Sequence, residues 1–188
     1  MYGYENAASG LKKMFTAQVG GIICVVLMMI PFIGVIGLIG VFVFGIMSLI
    51  GLNSAGKDME GCKTAFTLTI VQMVVSVIGN LAGTGVFATV FSVVSDILAL
   101  LITRAVCLSV SEVMENLNRQ DVADTGHSVW KINLGCYVVD IVLTILAVIP
   151  VLGTVLAVAG SVFTVILSLV AGIMYIIFLS KSYRALEN

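Results

Sequence analysis

Three stretches of this chain run for about 40–50 residues almost without charge. Met14 to Leu52 holds no charged residue, Thr64 to Val110 holds only Asp96 and Arg104, and Ile132 to Ser180 holds only Asp140. A helix crosses the hydrocarbon core with about 20 apolar residues, at about 1.5 Å of rise each. Each stretch is therefore twice one crossing and is expected to reverse near its middle. Turn-forming residues stand there: Pro31 to Gly34, Gly79 to Gly85, and Pro150 to Gly153. Proline fixes φ and glycine permits tight reversal. The pattern predicts an all-α transmembrane bundle of six helices in three tandem hairpins, about 12–53, 62–117 and 128–186. All belong to one integral membrane domain spanning 1–188.

Composition closes off the other classes. Hydrophobic residues make up 60% of the 188 and charged residues 10%. A soluble domain carries about 25% charged residues. The net charge of −1, with no basic block, excludes nucleic acid as a partner.

The remaining charges are sorted by position. Lys12, Lys13, Lys57, Lys63, Arg119, Lys131, Lys181 and Arg184 all flank the apolar stretches, and the three turns carry none. Basic residues favour the cytoplasmic side, so both termini are expected there. No A-x-A site follows the first apolar segment, which is expected to stay as an anchor. With no organellar targeting pattern, a bacterial inner membrane is the expected location.

The first and third stretches share a register. Nineteen residues separate Lys12 from Pro31 and Lys131 from Pro150, and the tip Ile30 to Gly34 matches Ile149 to Gly153. Duplication would account for this, as would the general likeness of hydrophobic hairpins. Ten residues before Pro31, Ala82 and Pro150 stand Gly21, Gln72 and Asp140. Ten helical residues span about 15 Å, so these three positions lie near mid-membrane. They would share one depth around a pseudo-threefold axis.

Asp96 is expected at similar depth on the fourth helix, with Ser92 one turn before it. An ionised carboxylate at mid-membrane costs about 2.5–3.5 kcal/mol. Two readings follow. Asp96 and Asp140, with Gln72 nearby, hold a proton or cation; or they are neutral acids bonding to neighbouring helices. Arg104 lies about 12 Å along the helix from Asp96 and about 80° around it. It is expected to snorkel to the boundary.

Catalytic and cofactor motifs are missing. Cys24, Cys62, Cys107 and Cys136 have no C-x-x-C spacing, and His127 is the sole histidine. No metal, cofactor or catalytic residue is therefore assigned. His127 reads as part of the lead-in to the fifth helix. Trp130 and Tyr183 fit an interfacial belt. Ser111 to Asn118 reads as the fourth helix continuing beyond the membrane, against the sixth.

Six spans in about 190 residues are similar in size to the substrate-binding subunits of bacterial energy-coupling-factor vitamin transporters. Those proteins dock through an A-x-x-x-A pair on the first helix. Here Ala17, Gly20 and Gly21 occupy that region, so no family is assigned. The functional expectation is a non-enzymatic membrane subunit or scaffold, surrounded by the lipid bilayer and packing with itself or another membrane protein. The competing expectation is a transporter or channel for a small solute, ion or proton, using the midplane acids.

Overall fold

A computed structural model describes residues 3–28, 30, 33–81, 86–146 and 150–187, and only the backbone of 86, 88 and 150–164. It contains six helices: α1 (Glu5–Met28), α2 (Gly34–Ala55), α3 (Glu60–Leu81), α4 (Val86–Asn116), α5 (Gln120–Leu146) and α6 (Pro150–Glu187). All six include a window long and apolar enough to cross a membrane. The described residues contain no strand.

Most neighbours in sequence are neighbours in space. α1 packs along α2, α3 along α4, α4 along α5, and α5 along α6. α2 meets α3 more sparsely, and α1 packs on α6, which closes the six helices into a ring. The Lys12 ammonium and the Glu187 carboxylate, 2.8 Å apart, join the first helix to the last.

Both termini and the two polar connections share one end of the bundle. The Asp58 carboxylate accepts the Ala7 amide N–H at 2.8 Å, and the Asn6 side-chain amide at 3.1 Å. The first N–H groups of a helix have no partner within it. A carboxylate from the α2–α3 connection thus caps α1. Asn118, with φ of 58°, ends α4. There the Arg119 N–H reaches the Met114 carbonyl at 2.8 Å and the Asn118 N–H the Glu115 carbonyl at 2.9 Å, a Schellman closure.

The buried core is concentrated at this end. Ala7, Leu11 and Met14 form one stripe of α1, and Val106, Val110, Val113 and Met114 another on α4. They meet Val122, Ala123 and Val129 of α5 and Phe178 and Leu179 of α6. The spacing is that of a helix face. Toward the other end the helices expose apolar side chains outward: Val35 is 67% exposed, Ile36 65% and Phe42 66%. Such a surface suits hydrocarbon and not water.

Glycine lets these helices touch. A methyl group on Gly10 would lie 2.5 Å from both the Ala55 nitrogen and the Gly51 carbonyl oxygen of α2. One on Gly61 would lie 2.7 Å from the Ala105 carbonyl oxygen of α4. On Gly126 of α5 it would meet the Ser111 hydroxyl and, at 2.6 Å, the Phe178 ring.

Three expectations shift. α3 continues through Gly79 and Asn80 to Leu81, where a turn was expected, and Gly79 faces Phe91 of α4. α6 starts at Pro150 itself, the position where a missing N–H costs nothing. The expected tip at 150–153 is helical, and of the other expected turn residues only 31–32 and 82–85 lie outside the described residues. His127 is not in a lead-in but two turns inside α5, because the turn at Asn118 lets α5 begin at Gln120. There its ring nitrogen pairs with Glu115 at 3.0 Å. The end of α4 shares the buried core with α6 and is tied to α5, through the Ser111 hydroxyl donating to the Ala123 carbonyl at 3.1 Å.

Backbone against backbone cannot yield as a flexible side chain can. Gly10→Ala is expected to lower stability by about 1–3 kcal/mol. Gly45, with open space around it, should tolerate alanine with no loss. Thermal unfolding of the detergent-solubilised variants checks the contrast.

Candidate functional site

Within the ring lies a cavity of about 450 Å³ to which every helix contributes. Its polar lining has two sets. The odd helices supply Gln18 from α1, Thr69 and Gln72 from α3, and Asn133, Tyr137 and Asp140 from α5. The even helices supply Ser48 from α2, Thr103 from α4 and Ser168 from α6.

The sets follow the repeat. Gln18, Thr69 and Tyr137 each stand thirteen residues before Pro31, Ala82 and Pro150 in the sequence. Ser48 and Ser168 correspond between the first and third stretches after a one-residue slip beyond the tips. Gln72 and Asp140, from the register ten residues before those points, also line the cavity. Gly21, the third member, lines a second cavity of about 330 Å³ between α1, α2 and α3. The two cavities share Gln18, Ser48 and Thr69, so they adjoin.

Hydrogen bonds fix several of these side chains. The Gln72 amide donates to the Ser95 carbonyl of α4 at 3.2 Å, bridging two helices. The Asn133 amide donates to the Val129 carbonyl at 2.9 Å. Thr69 and Thr103 donate to the carbonyls of Ala65 and Ala99, at 2.8 and 3.0 Å. In each case one hydrogen goes to backbone and the side-chain oxygen keeps free lone pairs, and Gln72 and Asn133 each retain a second N–H.

The acids differ in place. Asp140 lines the cavity, while Asp96 is half-buried beside it and does not. The two carboxyls are near enough to interact, and both act on the Tyr137 phenol, which lies beside the Thr103 hydroxyl. Among the described residues neither acid accepts a hydrogen bond or has a cation within 4 Å. Ser92 faces elsewhere, in a cleft between α3 and α4 with Ser76, Asn80 and Ser95. The Arg104 guanidinium lies 5.9 Å from the Trp130 ring centroid on α5, a cation–π distance. It is exposed, in keeping with a snorkelling side chain.

Sequence reasoning reached Gln72 and Asp140 and missed Gln18, Ser48, Thr69, Thr103, Asn133, Tyr137 and Ser168. The register one turn below Gln72 and Asp140 would have found Gln18, Thr69 and Tyr137. Among the described residues no group of three or more His, Cys, Asp and Glu gathers as metal ligands would.

Six apolar helices around a polar interior fit a multi-pass membrane protein. Comparison of the chain with family models, curated proteins and solved structures gives no match.

Unbonded acids contribute little to folding. The double variant Asp96→Asn, Asp140→Asn is expected to insert normally and to keep or raise the melting temperature in detergent. A loss exceeding about 1 kcal/mol would show that the acids tie helices together.

Proposed function

We propose that the chain is a non-enzymatic carrier or channel that holds a small polar solute within the membrane, in the central cavity. One observation supports this most: a polar cavity with an unbonded carboxyl at the meeting point of six otherwise lipid-facing helices. Desolvating Asp140 is costly, and no contact among the described residues offsets it. The volume lies within the roughly 300–1,000 Å³ usual for small-ligand pockets. A scaffold would call for acids bonded across to neighbouring helices or a filled apolar interior, and Asp140 offers neither.

The distribution of Lys and Arg supports a cytoplasmic position for both termini and both polar connections. In this reading Arg104 marks the boundary through Trp130, and Asp96 stands near Asp140 outside the cavity lining.

Reconstitution into liposomes tests the proposal. Light-scattering swelling assays would use isosmotic glycerol, sodium glycinate and ethylammonium chloride, with a pH-sensitive dye inside to follow protons. At least one species is expected to cross about tenfold faster than in protein-free vesicles. The Asp96→Asn, Asp140→Asn variant should return that rate to the protein-free level. Equal rates with and without protein for every species would refute the reading.

A further inference from the structure

The chemistry of the cavity goes further than its shape, and resting on the carrier reading it names a class of ligand. We propose that the cavity binds a small organic ammonium ion through Asp140.

The argument is one of donors and acceptors. Gln72, Asn133, Thr69 and Thr103 each direct a hydrogen toward a backbone carbonyl. What they leave to the interior is oxygen lone pairs and the second N–H of each amide, and Gln18, Ser48 and Ser168 add groups that can donate or accept. Lys, Arg and His are missing from the lining altogether. A carboxylate stands among these oxygens, and a second lies within its electrostatic reach. An anion would meet repulsion from both acids and find no cationic side chain to pair with. A neutral solute would leave the carboxylate unpaired. A cation with N–H groups satisfies the charge and the oxygens together.

The cation is organic on two counts. Metal ions such as Ca²⁺ gather about six to eight oxygens at about 2.3–2.6 Å. Here the oxygens are spread around a space of about 450 Å³, and no cluster of three metal-ligating residues is found among the described residues. The remaining wall is largely apolar, with Met14, Leu52, Ile102 and Val106 and the ring of Tyr175 among its residues. Such a wall suits a hydrocarbon body attached to an ammonium group.

The protein carries its own reporter. Cys136 lines the cavity, whereas Cys24, Cys62 and Cys107 are buried. The wild-type chain in lipid nanodiscs would be treated with a cationic trimethylammonium-ethyl methanethiosulfonate, or with the anionic sulfonatoethyl reagent. Peptide mass spectrometry reads labelling of Cys136 alone, and each rate is normalised to that of free cysteine. The cationic reagent is expected to react about tenfold faster, a ratio that falls to about one in Asp140→Asn. Phenethylammonium chloride should slow the labelling in wild type and not in Asp140→Asn. Labelling by both reagents at equal normalised rates, without protection, would overturn the ammonium proposal and leave a water-filled carrier cavity standing. No labelling by either would overturn both proposals.

Discussion

The structure depends on the cost of a polar group without a partner in hydrocarbon. Every backbone N–H and C=O in a membrane-crossing segment needs a bond within the protein. Helices meet that need internally, which is why 188 residues with so few charges become six of them. The same cost governs side chains. Thr69, Thr103, Asn133 and Gln72 each turn a hydrogen to a backbone carbonyl. The interior they line holds a carboxyl among polar oxygens and no cationic side chain. Asp140 takes its meaning from that environment.

Two ends of the bundle do different work. At the end with the termini, glycines bring helix backbones together, and Val, Leu, Met and Phe side chains fill the space. Asp58 caps α1 there, and Lys12 meets Glu187. Farther in, packing gives way to the cavity, while Ile, Val and Phe face outward. A tight end anchors the ring and allows the middle to stay open. A solid core would have excluded a polar solute as effectively as it excludes water.

Much of the architecture was legible in the sequence because it rests on length and charge. A stretch twice the crossing length has to reverse, and flanking lysines mark its ends. Turn positions were less legible. Glycine at 79 reads as a breaker, yet in α3 it makes room for Phe91. Proline at 150 reads as a tip, yet it heads a helix. The inward face of α2 could not be read at all, since nearly every residue is apolar and no side of the helix stands out. Ser48 was a lone hydroxyl until the ring closed around it. Asp140 and Gln72 were found because charge and amide groups are rare at that depth. Thr103, Tyr137 and Asn133 were not, because such residues are common at helix surfaces and gain significance only by sharing a space.

The central claim is that a polar, water-accessible space runs inside a closed ring of six helices. Spin labels placed singly along α2 from 42 to 50, in a background with the native cysteines replaced, test it most directly. Collision rates with oxygen and with a water-soluble nickel chelate distinguish lipid from water. The account predicts that the chelate reaches Ser48 and that oxygen dominates at Phe42, Val43, Ile46 and Ile50, which face outward. Equal oxygen-dominated exposure at Ser48 and Ile46 would contradict it, because the interior face of α2 would then be no different from its lipid face.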